Sequence, residues 1–523
     1  MRPNDVNEIA KLAEEATHVI DSMTMVHHEH YEPHVGSAYE RIRAEMGSSP
    51  DIILRYIQVP ACQAHQVLIA YIDGLTDIQM VDQDIIAPLL EAQSGPEDWD
   101  QTTIRPGHIS PRQEWSDILK DLASGNTIIF APGLAHVWSV DTVKFQERAI
   151  GRPQTELSVR GPNEAFNENV YTQMSQIRRR FYDPTVHFHQ ITMGRLQHTA
   201  VMVAYIEGLT NPSLIDAVKM RLAAVRIDGR PNSTLVGGLI RDHPRSVFPT
   251  IRSTERVDVA CMALLEGRVV ICVDGDPFVL IAPAPLIDFY RTAMDYSDAW
   301  YDTSFIRVIR LLGWAMGVYL PALYIALTEV NTNLLPPALL IITAGDHAGL
   351  PFPPVTEALM MVFVIEVLRE AALRLPKALS TTIGTVGGIV VGTAVVKAGL
   401  VSPQMIVVIT LTALSFYSVP VYELTGTWRL MNFLMLMLAS IVGIYGIILV
   451  TIWMMGALIS LNSFDTPYFA PFAPFRLREW TDVLARMPWT WLRRRHPEAR
   501  ATPPRFMGDP TSSPPPHLGK MQP

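Results

Sequence analysis

Apolar residues crowd the C-terminal half of this chain. The runs 305–309, 311–327, 404–414 and 433–450 hold few charges. About 20 consecutive apolar residues make a helix long enough to cross a bilayer. Lipid offers the backbone no hydrogen bonds, so only helices or closed barrels span it. The pattern therefore predicts a membrane-embedded helical domain over 301–462, attached to a soluble region that precedes it. Five hydrophobic segments stand out: 305–328, 351–375, 379–396, 402–425 and 430–460. The second differs from the rest, because it carries Glu357, Glu366, Arg369, Glu370 and Arg374. Glu366, Glu370 and Arg374 recur every four residues and share one helix face. Such a helix either lies at the membrane interface or lines something polar. Counting it as non-spanning leaves four crossings, with both chain ends on one side.

Before residue 301 the pattern shortens to alternating strands and helical periods. The word at 67–77 recurs at 201–211. Alternating strands at 52–59 and 185–191 precede the two copies. A helical pattern follows each, and each unit ends in a strand after a glycine turn, at 125–130 and 267–273. Strands interleaved with helices read as α/β units. The expected architecture is two tandem related α/β subdomains, 50–145 and 184–300, joined by a linker at 146–183 and followed by an all-α polytopic transmembrane domain. A polar segment, 1–49, precedes them, and its His27, His28, His30 and His34 read as a solvated stretch. A Pro-rich basic tail, 463–523, follows. Two lobes of this kind can enclose a cleft.

Charge sharpens the picture. The 523 residues carry a net charge of −9, with the excess acid in 1–300 and a basic tail from Arg476. An acidic soluble half argues against nucleic acid as a partner, and a basic tail suits a cytoplasmic position beside lipid. The N-terminal residues hold no apolar signal core, which predicts a soluble region on the cytoplasmic side. Cys62, Cys261 and Cys272 have no metal or redox spacing and fit a reducing compartment. No catalytic or nucleotide-binding motif occurs, so no enzyme, metal site or cofactor is expected.

The membrane half carries the candidate chemistry. In 379–396, Gly384, Gly388 and Gly392 form a small face suited to close helix packing. Thr381 and Thr385 offer hydroxyls, and Ile389 continues that series as a constriction, so the same helix could instead line a pore. Glu366 with Arg369, and Glu370 with Arg374, read either as ion pairs or as an ion-attracting vestibule. Asp346 and His347 lie between Gly345 and Gly349, in a predicted loop. Pro321, 351–354 and Pro420 mark bends.

Several words, in order along 50–475, resemble the A subunit of GerA-type spore germination receptors. They are 159–168, which holds Arg160, Gly161, Pro162 and Glu164; 177–180, with Arg178 and Arg179; 254–256; and 264–280, with Asp274, Gly275 and Pro277. The words at 351–353, 368–371, 374–376, 401–403 and 467–471 complete the series. The resemblance implies a membrane subunit of a nutrient receptor in the spore inner membrane. It implies partners as well: a transporter-like B subunit and a lipoprotein C subunit. It further implies a homo-oligomeric, nutrient-gated ion channel whose opening begins germination. The chain departs from the family pattern at Asn163, Val362, Ala372, Lys397 and Asp465, which alters the charge of any ion path. A non-conducting scaffold that couples a nutrient-binding subunit to downstream germination proteins is the alternative. A secondary transporter would need inverted repeats, and the helical half shows no convincing pair.

Overall fold

A computed structural model of the chain describes residues 30–31, 34–60, 66–92, 95–99, 103–105, 108–144, 151–374, 388, 393–483 and 485–488. The first lobe holds α1 (Val35–Met46), β1 (Ile52–Gln58) and β2 (Gln66–Ile72). A helical stretch, α2, runs through Ile78–Met80, Val81–Ile86 and Ala87–Glu91. It is followed by β3 (Ile109–Arg112), α3 (Trp115–Ala123), β4 (Thr127–Phe130) and β5 (Val137–Val140). The second lobe repeats the plan. It has α4 (Val170–Phe181), β6 (Val186–Met193), β7 (Thr199–Ile206), α5 (Pro212–Ala224) and α6 (Ser233–Ile240). It closes with β8 (Arg252–Thr254), α7 (Val257–Leu265), β9 (Val269–Val273) and β10 (Val279–Ala282).

The strand orders match: β1-β2-β4-β5-β3 and β6-β7-β9-β10-β8. Every pairing is antiparallel, with Ile52 opposite Ile72 and Val186 opposite Ile206 in corresponding registers. Helices cover both faces of each sheet. In the second lobe α4 and α7 pack on one face and α5 and α6 on the other. In the first, α1 and α3 oppose α2. Double coverage explains why β2 and β7 are apolar at almost every position instead of alternating. The stretch 146–183, expected as a linker, contains α4. Its Val170, Met174 and Ile177 belong to the second core.

The helical half begins with α8 (Trp300–Ile325), which continues through Ala326–Val330. Next come α9 (Pro337–His347), α10 (Pro354–Arg374), α11 (Pro403–Tyr417), α12 (Tyr422–Val442) and α13 (Ile444–Ser460). Among the described residues, two helices are long and apolar enough to cross a bilayer, 300–330 and 422–442, while α11 and α13 are apolar but shorter. Gly313 and Gly317 bring α8 close to α11. A Cβ at Gly317 would lie 3.2 Å from the Phe416 ring, so this chain uses small residues for contact on a helix where none was expected.

The structure corrects three expectations. Asp346 and His347 end a helix, α9, started by Pro337 and propagated by Leu339, Leu340, Ile341 and Ile342. The single segment 430–460 is two helices reversing at Gly443. There φ is +69°, and a Cβ would sit 2.0 Å from Asn331 Oδ1, which accepts the Ile444 N–H at 2.9 Å. Only glycine fits both demands. The stretch from 463, expected as the start of the tail, packs back on the second lobe. Asn462–Ser463 pairs with Thr466–Pro467, and Ser463 Oγ donates to Thr250 O at 2.5 Å. The Leu286 N–H reaches Tyr468 O at 2.8 Å. The chain thus returns from α13 to the second lobe.

Candidate polar seam and domain junction

The charged face of α10 divides in two. Glu370 and Arg374 pair at 2.5 Å, but their side chains are 61% and 79% exposed. Glu366 accepts from Arg369 at 2.8 Å and from Arg429 of α12 at 2.7 Å. This triad borders a cavity of about 30 Å³ together with Val362, Ile409, Thr412 and Asn432. Asn432 anchors the floor by donating to Gly317 O at 2.8 Å. A guanidinium on each side holds one carboxylate between three packed helices, with Glu366 still 40% exposed. Thr381, Thr385 and Ile389, like Gly384 and Gly392, lie outside the described residues. Arg429 escaped the sequence reading because it stands 63 positions from Glu366, between the apolar segments 402–425 and 430–460.

A second polar cluster joins α8, α9, α10 and α11. Glu357, fully buried, accepts the Ser402 N–H at 2.9 Å and lies 3.2 Å from His347 Nδ1. Tyr324 OH stands 3.4 Å from both His347 Nε2 and Gln404 Oε1, and Gln404 donates to Asp346 at 2.8 Å. Asp346 and His347, expected together in a loop, thus share one network with Glu357.

The largest concentration of buried charge lies where the second lobe, α8 and the returning chain meet. Asp288 holds Arg268 and Arg291. Asp295 accepts from Arg307 Nε and from Arg310 Nη1 and Nη2, each at 3.1 Å. Asp482 takes Arg307 Nη1 at 2.9 Å and the Tyr296 hydroxyl at 2.8 Å. Arg486 donates to the Asp295 and Asp298 carbonyls at 2.7 Å. Burial alone would raise the Asp288 carboxyl, but Arg268 and Arg291 more than offset it and hold it below the usual carboxylate range. Burial pushes the Tyr296 phenol up, with Asp482 adding to the effect. Arginine suits this role, because its planar fork reaches two carboxylates at once.

The motif residues of the soluble region take part in contacts within and between the lobes. Arg178, 2% exposed, crosses between the lobes. It pairs with both oxygens of Asp51 and donates to Ser49 Oγ at 3.0 Å and Val186 O at 3.1 Å. Glu164 gathers Arg179 and Arg180. The Pro162 carbonyl accepts from Arg256 at 2.7 Å. Arg160 pairs with Asp298 at 3.4 Å on the surface, and Gly161 packs beside Ser297. Asp274 pairs with Arg230 at 2.8 Å in the β9–β10 turn that also holds Gly275 and Pro277. Among the described residues, no cluster of histidine, cysteine and acid groups could hold a metal.

A family model described as Bacillus/Clostridium GerA spore germination protein matches residues 40–498. The chain is 34% identical over 472 residues to spore germination protein KA of Bacillus subtilis (strain 168), covering 89% of this chain and 87% of that protein. It is 33% identical over 431 residues to a membrane protein of the same organism, YfkQ, covering 82% and 84%. One solved structure aligns with 49% of this chain and 97% of its own length, at 29% identity and a TM-score of 0.38. It is the N-terminal domain of the A subunit of the Bacillus megaterium spore germinant receptor GerK3.

Proposed function

We infer that this chain, which belongs to the Bacillus/Clostridium GerA spore germination protein family, is the A subunit of a nutrient germinant receptor whose helical half conducts ions when the receptor is triggered. The observation that carries the reading is the position of Glu366. A partly exposed carboxylate flanked by Arg369 and Arg429 sits where α10, α11 and α12 pack together. A charge at bilayer depth costs about 2.5–3.5 kcal/mol even on the lenient scales. Such a group faces water or a partner, not lipid. Assembly of several copies with α10 turned inward meets that requirement, and Glu370 and Arg374 would then line the entrance. Thr381, Thr385 and Ile389, which fall between α10 and α11 in the sequence, stay candidates for the same path.

Other features support the membrane setting. The 300–330 and 422–442 helices each contain an 18-residue stretch apolar enough to cross a bilayer. Ile441, Tyr445, Ile452 and Trp453 present apolar surface outward. The chain after α13 packs on the same lobe that leads into α8, which favours an even number of crossings; we take the cytoplasm as the side of both. On this reading the receptor sits in the spore inner membrane and its partners are the transporter-like B subunit and the lipoprotein C subunit.

The scaffold reading draws on the junction of Asp288, Asp295, Asp482 and their arginines, which ties the lobes rigidly to α8 and could pass movement without conduction. Spores carrying Glu366→Gln or Arg429→Gln separate the two readings. With the subunit made at normal level, nutrient-triggered cation release should slow severalfold. Unchanged release in both variants, with no redundant receptor present, rejects conduction through the seam and leaves the scaffold.

A further inference from the structure

We propose that the cavity between the α6–β8 loop and α13 receives the phosphate headgroup of an anionic phospholipid from the surrounding bilayer. The proposal rests on the membrane setting argued above and is independent of conduction. The cavity has a volume of 480 Å³, within the range of small-molecule sites, about 300–1,000 Å³. The second lobe supplies one wall, from Asp242 to Phe248. The end of α13 supplies the other, with Trp453, Ala457, Ser460 and the following Leu461.

The lobe wall is fixed in place and basic. Asp242 accepts from Arg221 of α5 at 2.5 Å and from the Phe464 N–H at 2.6 Å, so its charge is already matched. Arg241 donates to the Pro244 carbonyl at 2.8 Å, and Thr427 of α12 donates to the Val247 carbonyl at 2.8 Å. These contacts hold the loop and leave His243 and Arg245 exposed at the cavity. Among the described residues, the Arg245 guanidinium has no carboxylate partner. A guanidinium fork left open in this way suits a phosphate, whose oxygens it can take two at a time.

The helix wall identifies the source of that phosphate. Tyr445, Leu449, Trp453, Ala457 and Leu461 follow one another at four-residue spacing, so they form one row along α13. Tyr445, Leu449 and Trp453 expose large apolar side chains. Ala457 is small, and there the row opens into the cavity, just before the chain turns back to the lobe through 462–467. A hydrocarbon chain lying along this row carries its headgroup to Arg245. A soluble phosphate would leave the row uncovered, which is why the occupant is a lipid. Trp453 is also a residue type favoured at a membrane–water boundary. The bound lipid would bridge the second lobe to α13.

The test uses the full-length protein. Carbonate washing of the membranes comes first: release of the protein overturns the membrane setting and the proposal with it, whereas retention confines any later failure to the lipid site. Binding is then measured in a mild non-ionic detergent, with fluorescent phosphatidylglycerol as probe and fluorescent phosphatidylcholine as comparison. The expected result is saturable binding of phosphatidylglycerol, at least about ten-fold tighter than phosphatidylcholine. Arg245→Gln should abolish that preference and keep the wild-type melting temperature, since Arg245 is exposed. Ala457→Trp fills the cavity without removing a charge and should weaken phosphatidylglycerol about ten-fold. Glycerophosphoglycerol, the same headgroup without chains, should compete at least about a hundred-fold more weakly than the lipid. Lipid held by the basic tail would survive both substitutions and so count against the cavity. Equal affinity for the two lipids, an unchanged preference in Arg245→Gln, wild-type binding by a folded Ala457→Trp variant, or equal competition by the chain-free headgroup overturns the proposal, and Arg245→Gln decides it if Ala457→Trp does not fold.

Discussion

Replacing Arg178 by methionine tests how the two lobes are held together. The guanidinium is 2% exposed and satisfies Asp51, itself 3% exposed, along with Ser49 Oγ and Val186 O. Methionine keeps much of the apolar stem but loses the guanidinium, which lies 5.0 Å from the centroid of the Phe188 ring. What remains is a buried carboxylate with no cation. Breaking a buried pair from one side costs about 3–5 kcal/mol. At about 2–4 °C per kcal/mol for a unit of this size, the soluble region should melt about 6–20 °C lower. Thermal unfolding of the full-length protein, followed by tryptophan fluorescence, reads the shift. Asp51→Asn in the same background should recover part of the loss, since the stranded charge is then gone, giving a coupling of about 0.5–3 kcal/mol. A single-variant cost below about 1 kcal/mol, or strict additivity of the pair, would refute the role assigned to Arg178.

Three further outcomes follow from the structure. Burial pushes the Cys261 thiol up to about 12 and raises Cys272 further, so in a Cys62→Ser background neither should react with iodoacetamide at pH 8 until the protein unfolds; prompt labelling of the native protein would contradict their placement. Burial lowers the pKa of His187, so the unfolded chain binds that proton more tightly. Stability should therefore fall as pH drops below about 6.5, the unfolded value, and His187→Gln should flatten that slope in pH-dependent melts. Asp465 sits at φ +61° in the tight turn after α13; Asp465→Val should cost about 1–2 kcal/mol and Asp465→Gly should gain about 0.5 kcal/mol, measured as opposite shifts in melting temperature.

Legibility in the sequence tracked the range of the interactions. β2 and β7 announced themselves because strands covered on both faces are apolar at nearly every position, and the repeated word at 67–77 and 201–211 marks the same place in each sheet. The charges of α10 were visible for a similar local reason, a four-residue period. What escaped depends on distant partners. Arg429 looks like an isolated charge in an apolar helix until Glu366 is placed beside it. Asp482 and Arg486 read as part of a basic tail, yet they complete a cluster seeded by Asp288 and Asp295 nearly 200 positions earlier. The break at Gly443 was hidden within a continuous apolar run, because the residue that demands glycine there, Asn331, lies on another turn of the chain. The all-antiparallel pairing was equally invisible, since strand direction leaves no mark on composition.

The central claim is that the seam around Glu366 lies on an ion path. Conductance across a planar bilayer, recorded after reconstitution of this chain with its B and C subunits and addition of nutrient, tests it most directly. The account predicts nutrient-dependent currents whose cation selectivity or unit conductance changes in Glu366→Gln and Arg429→Gln. Currents identical in both variants, or no current from a receptor that still binds nutrient, would contradict it.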